Sequence, residues 1–175
     1  MNFERLTNSN HPDYISAMEL YATSFPPHEQ REPRSQSEIL NDSAYHFTLI
    51  YDEGKFVGLL LYWETKDYLY VEHFCIVERM RNRGYGQKAL HLLTEQGKKV
   101  ILEIDPPVDD IAKRRKGFYE RCGFVENLFV HVHPPYHRNN HGHTLVLMSY
   151  PEKLTENECK SFQDFLKLHI MNNVF

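Results

Sequence analysis

The chain has 175 residues, 41% hydrophobic and 25% charged, a composition that fits one globular domain with a buried core and argues against a disordered chain. Its 20 basic and 24 acidic residues leave a net charge of −4, opposite to the basic excess of a dedicated nucleic-acid binder, so no nucleic-acid partner is expected. The three cysteines, Cys75, Cys122 and Cys159, form no CxxC pair, and no apolar run approaches the roughly 18–20 residues of a membrane span. With no apolar signal core near Met1, a reducing, cytoplasmic setting without membrane contact is expected.

In chain order, Phe3–Leu6 reads as a short strand. Asn10–Phe25 reads as a helix with Pro12 near its start and Ile15, Met18, Tyr21 or Ala22, and Phe25 on one face. The polar stretch FPPHEQREPRSQ follows, then a short helix around Gln36–Leu40. His46–Tyr51 and Lys55–Glu64 flank the turn signal DEG and predict a hairpin, and Lys66–Asp67 turns the chain into a third strand, Tyr68–Val77. Gly84–Gln96 has helical periodicity, with Tyr85, Ala89 and Leu92 or Leu93 inward and Gly97 placed to end it. Lys99–Ile104 is a strand, and the aspartates of DPPVDD suit the N-cap of a helix over Asp110–Arg121. Gly117 costs that helix on the order of 1 kcal/mol, and Gly123 stops it. Phe124–Val132 and Thr144–Tyr150 are predicted as two last strands around a His- and Pro-rich loop. Thr155–Met171 places Cys159, Phe162, Phe165/Leu166 and His169/Ile170 at helical spacing. Its apolar face either caps the domain or pairs two chains, which leaves a homodimer open. The element order predicts a mixed α/β sheet with helices packed on it.

The stretch RMRNRGYGQKAL, Arg79–Leu90, joins a strand to a helix. Unpaired N–H groups at a helix start favour an anion, and Gly84 and Gly86 allow close approach to the main chain. Arg79, Arg81 and Arg83 add positive charge. On these residues alone a phosphate cradle and a solvated basic turn stand side by side. The stretch is neither a P-loop, which needs GK[ST], nor a GxGxxG dinucleotide fingerprint.

Two motifs separate the readings. Arg81-Asn82-Arg83-Gly84-Tyr85-Gly86 has the form [Q/R]xxGxG, and Phe118-Tyr119-Glu120-Arg121-Cys122-Gly123-Phe124 has the form FYxxxGF. Together, and with a matching element order over about residues 3–150, they resemble the GNAT superfamily of acyl-CoA N-acyltransferases. The resemblance implies a mixed, mostly antiparallel sheet of about seven strands with flanking helices and a V-shaped splay at the cofactor cleft. It implies a GNAT-like domain over residues 1–150 and a C-terminal helical extension over 151–175.

The same resemblance implies acetyl-CoA as donor and an amine as acceptor, on a small molecule or a peptide. Phe74, Cys75 and Ile76 would contact the acyl-pantetheine through the backbone, one amide polarising the thioester carbonyl. Arg81, Asn82, Arg83, Gly84, Tyr85, Gly86 and Gln87 would hold the pyrophosphate. Tyr119 matches the family's general-acid position, and Cys75 reads as a wall residue because the acyl group passes directly to the amine. A protonated amine needs a base, and Glu72, in Val71-Glu72-His73-Phe74-Cys75, resembles the strand glutamate of histone-type members, with His73, Glu103 or an ordered water as competitors. Two positions depart from the family: Ala112 stands where many members have a cofactor-contacting Asn, and Arg115 where a small residue is common.

Five of the 11 histidines fall within residues 131–143. His131 and His133 share a strand face, but no Cys or carboxylate joins the run, so no metal site is assigned. In the resembled fold this loop flanks the acceptor cleft, making His133 and Tyr136, together with Glu29, the expected acceptor-side residues. Lys113–Lys116 reads as a solvated helix face. Two functions follow: an acetyl-CoA-dependent N-acetyltransferase, or a non-catalytic acyl-CoA-binding sensor that keeps the phosphate loop. Intact Tyr119 and Glu72 favour the enzyme.

Overall fold

A computed structural model of the chain describes residues 1–172 and 174. In chain order the strands are β1 (Asn2–Leu6), β2 (Tyr45–Asp52), β3 (Lys55–Glu64), β4 (Tyr68–Ile76), β5 (Lys99–Ile104), β6 (Val125–Glu126), β7 (Val132–His133), β8 (His143–Thr144) and β9 (Val146–Tyr150). The main helices are α1 (Tyr14–Ser24), α2 (Pro33–Glu38), α3 (Tyr85–Thr94), α4 (Asp110–Arg121) and α5 (Glu156–Phe165). Seven strands form one mixed sheet in the order β1-β2-β3-β4-β5-β9-β6, and β7 and β8 form a separate small ladder. Every pairing in the large sheet is antiparallel except β4 with β5.

Helices cover both faces. Leu59, Leu61 and Trp63 of β3 face a core shared with Ala17 and Tyr21 of α1 and Cys159 and Phe162 of α5. Leu60 and Tyr62 face the other core, with Ala89, Leu90 and Leu93 of α3 and Tyr119 of α4. A strand buried on both sides carries an unbroken apolar run, which accounts for GLLLYW in β3. The tail lies on the first core. Its cap is a box between Thr155 and Glu158, and past α5 a π-helical turn, Leu166–Ile170, buries Leu166 and Ile170.

Two irregularities in β4 shape the site. Leu61 pairs with His73 but Tyr62 pairs with Val71, so Glu72 is the extra residue of a β-bulge. The bulge reverses the inward–outward parity of the strand, and Glu72 and His73 consecutively face the α1 side. The second irregularity is a parting of strands. β4 and β5 pair from Tyr68↔Lys99 to Val71↔Leu102 and then separate, β5 staying with β9 through Ile104↔Val146 and β4 with β3 through Ile76↔Gly58. Gly58 is needed there because a Cβ would lie 2.3 Å from the Cys75 carbonyl oxygen.

Some expectations shift. The buried face of α1 is Ala17 and Tyr21, while Ile15 is 70% exposed, so the apolar stripe is rotated from the one read in sequence. The predicted strand Phe124–Val132 is two short pieces in different sheets. Asn127 ends the first: its amide nitrogen donates to Ser149 Oγ at 2.9 Å and its Oδ1 accepts from Leu154 N at 2.7 Å. No helix among the described residues is long and apolar enough to cross a membrane.

Candidate active site

The donor side begins where β4 ends. The 3-10 turn Glu78–Met80 leads into Asn82 at φ 61° and Gly84 at φ 79°, both left-handed, and Gly84 is the N-cap of α3. No side chain caps this helix start, which leaves its first N–H groups free to meet an anion. Nothing lies within 4 Å of where a Gly84 Cβ would project, so the cradle is open. Arg81, Asn82, Arg83 and Gln87 are exposed around it and Tyr85 is half-buried. Arg81 Nε donates to the Ile76 carbonyl at 3.1 Å and ties the loop to the end of β4. Gly86 has a different duty: a Cβ there would meet Phe118 Cζ at 3.1 Å and Phe74 Cζ at 3.7 Å, so its bareness serves helix packing. An uncapped helix start, a bare glycine turn and exposed basic side chains form a donor set that fits a pyrophosphate.

Tyr119 projects from α4, whose start is fixed by Asp109 Oδ1 accepting from the amides of Ile111 and Ala112, both at 2.8 Å. Its ring is 8% exposed and packs on Phe118 and Phe124. Burial pushes the phenol up to about 12, with the Arg115 cation opposing. Arg115 is itself held by Asp105 at 2.6 Å. Cys75 is buried and burial raises its thiol, the state of an inert wall cysteine.

The residues expected on the acceptor side, His133 and Tyr136, join Glu72 in a buried polar network. Glu72 Oε1 accepts from Arg31 Nη2 at 2.9 Å and from the Tyr136 hydroxyl at 3.0 Å, and Glu72 Oε2 accepts from Trp63 Nε1 at 2.8 Å. Burial would raise this carboxyl, yet Arg31, His73 and the hydrogen bonds from Trp63 and Tyr136 outweigh it and hold it below the usual range. Both oxygens of Glu72, the expected base, are engaged in this network, and its side chain is 0% exposed. Across the parting, Glu103 of β5 accepts from the Tyr70 hydroxyl at 2.5 Å and from His131 Nε2. His133 lies between the two carboxylates, 3.4 Å from the Tyr136 hydroxyl and 3.9 Å from Glu103 Oε2. His133 and Tyr136 are thus buried in the network.

His73 is held differently. Its Nε2 lies 2.8 Å from the Glu29 carbonyl oxygen, which can only accept, so Nε2 carries the proton and Nδ1 bears the lone pair. That Nδ1 is buried with no hydrogen-bond partner among the described residues. The rings of Phe25, Tyr21 and Tyr136 surround it at 4.7, 5.0 and 6.0 Å. Burial lowers its pKa against the pull of Glu72, so the imidazole is neutral near pH 7. Tyr21 and Arg31 also line a groove of about 580 Å³ beside α1. The Glu29 side chain is one-third exposed. The Arg31–Glu72 pair was not legible in sequence; the only local signal was an isolated Arg among the prolines of residues 26–33.

Known proteins place this architecture. The model of the acetyltransferase (GNAT) family matches residues 14–124. A solved GNAT-family structure from Bacteroides thetaiotaomicron superposes with a TM-score of 0.91 at 31% identity, covering 98% of each chain. The Bacillus subtilis (strain 168) protein YjbC is 27% identical over 104 residues, 57% of this chain and 52% of its own length, so the chain spans about half of that curated relative. An aminoglycoside 6'-N-acetyltransferase solved with coenzyme A shares the fold at a TM-score of 0.58 and 14% identity, covering 89% of this chain and 100% of its own. The seven-stranded sheet with its parted strands and flanking helices is the architecture of these acetyltransferases. The chain belongs to the GNAT family of acetyltransferases, whose acyl donor is acetyl-CoA.

Proposed function

We propose that this protein passes the acetyl group of acetyl-CoA to a primary amine, on a small molecule or peptide, by direct attack in a ternary complex. The observation that carries the reading is the parting of β4 from β5 just upstream of the uncapped, glycine-led start of α3. In this reading Arg81–Gln87 bind the pyrophosphate, and the backbone of Phe74–Ile76 aligns the acyl arm and donates to the thioester carbonyl.

Tyr119 assists the leaving sulfur. A phenol at about 12 does not surrender its proton at equilibrium to a thiolate of pKa about 8.5. Its contribution is therefore a hydrogen bond donated as charge develops on sulfur, with Arg115 the nearby cation that favours negative charge there. His73, a competitor of Glu72 for the base role, keeps a lone pair with no hydrogen-bond partner among the described residues, whereas both Glu72 oxygens are engaged. Its tautomer leaves Nδ1 as a proton acceptor one residue before Phe74, with a low pKa that keeps it ready at neutral pH. Glu72 is then a positioning residue that anchors Arg31, Trp63 and Tyr136 around the bulge.

The order of events is tested by initial velocities with both substrates varied. Direct attack gives intersecting double-reciprocal lines. Parallel lines would mean a covalent acyl-enzyme and overturn the ternary-complex reading.

A further inference from the structure

We propose that His28, Glu29 and His143 form a binding site for a divalent transition-metal ion, zinc by its chemistry, at the rim of the acceptor side. One ligand atom from each of the three lies within 4.8 Å of the others. His28 Nε2 and Glu29 Oε1 are 3.6 Å apart. A tetrahedral zinc ion with bonds of about 2.0–2.2 Å separates its ligands by roughly 3.3–3.6 Å, so small side-chain rotations complete the set.

The backbones that carry these ligands are already fixed together. The 3-10 turn Pro27–Glu29 is closed by Glu29 N donating to Pro26 O at 2.9 Å, and the Glu29 carbonyl is held by His73 at 2.8 Å. His143 is fixed in the β7–β8 ladder opposite His133. The loop of that ladder is pinned to the turn by His137 Nε2 donating to the Pro27 carbonyl at 2.9 Å. The ligands thus converge from two distant segments that these hydrogen bonds tie together.

Two imidazoles and one carboxylate suit zinc, nickel or cobalt and disfavour calcium or magnesium, which take all-oxygen shells. Asp105 Oδ1 lies 3.6 Å from His143 Nε2 and is placed as an outer carboxylate, with Arg115 on its other side balancing the charge. Three protein ligands leave a position open for water or for a donor atom of the acceptor. The histidine run in sequence lacks a carboxylate, and the site acquires one only when Glu29 is brought in by the fold.

Calorimetry with zinc on the chelator-stripped full chain tests the site without any transferase assay, so its outcome is independent of the function proposed above. The expected result is one saturable ion per chain. Affinity falls in His28→Ala and in His143→Ala by more than the 10–100-fold typical of losing an outer-shell partner, while His141→Ala changes nothing. Metal-free melting temperatures of the variants check that folding is intact. Cobalt in place of zinc gives the d–d absorption of a low-coordinate nitrogen and oxygen site. Absence of saturable binding, or binding that survives the His28→Ala/His143→Ala double substitution, overturns the proposal.

Discussion

Arg31 and Glu72 lie 2.9 Å apart with side chains 1% and 0% exposed, an ion pair that locks the segment after α1 onto the bulge of β4. A buried pair of this kind adds little net stability, but removing one partner strands the other charge, at a cost of about 3–5 kcal/mol. Arg31 Nη1 has no hydrogen-bond partner among the described residues, so the hydrogen bonds of the guanidinium rest on Glu72 and the Ile170 carbonyl. Glu72→Gln is expected to lower unfolding free energy by that amount in urea titrations. If stability holds while turnover vanishes, Glu72 returns as the base.

Tyr119→Phe removes only a hydroxyl from a ring packed on Phe118 and Phe124. The fold and coenzyme A affinity should persist, while kcat falls by about 10²–10³-fold, the range of a lost hydrogen-bond donor to developing charge. Thiol-release kinetics beside calorimetry separate the two effects. Unchanged kcat removes Tyr119 from the chemistry.

His73 sets the pH dependence. A base with a depressed pKa is active when neutral, so kcat/KM should fall on the acid side with a midpoint below the ordinary histidine value of about 6.5. His73→Gln should lose that limb and slow turnover. The same depression means the unfolded chain binds the extra proton more readily, so its stability contribution is full above about pH 6.5 and declines as pH falls toward the folded pKa. A wild-type acid limb that survives in His73→Gln contradicts the assignment.

The two loop glycines should fail differently. Gly84→Ala meets no atom but forces a side chain to φ 79°, costing about 1–2 kcal/mol and weakening coenzyme A binding as the cradle shifts. Gly86→Ala instead presses on the Phe118 ring beside Tyr119, so kcat should suffer more than donor affinity. Calorimetry and turnover on both variants check the contrast.

The strand, turn and helices of the proposed donor half were legible in sequence because their signals are local. Helix α4 runs over Asp110–Arg121 as read, capped by Asp109 and stopped by Gly123 at φ 88°. The loop Arg81–Gly86 combines backbone needs and charge in six consecutive residues. The acceptor half depends on convergence between distant positions. Arg31 meets Glu72 41 residues away, and a bulge with no sequence mark turns Glu72 and His73 to the same face. Ile15 misled because it extends the apolar stripe of α1 although it faces solvent. The break after Glu126 was hidden because Asn127, which ends the strand by bonding Ser149 and Leu154, sits in an otherwise strand-like run.

The most direct test is release of free coenzyme A thiol from acetyl-CoA over a panel of primary amines, including peptides, polyamines, aminoglycosides and amino acids. The account predicts amine-dependent release with at least one class, and a loss of that release in Tyr119→Phe. Tight coenzyme A binding with no turnover on any amine would contradict it and identify the protein as an acyl-CoA-binding module.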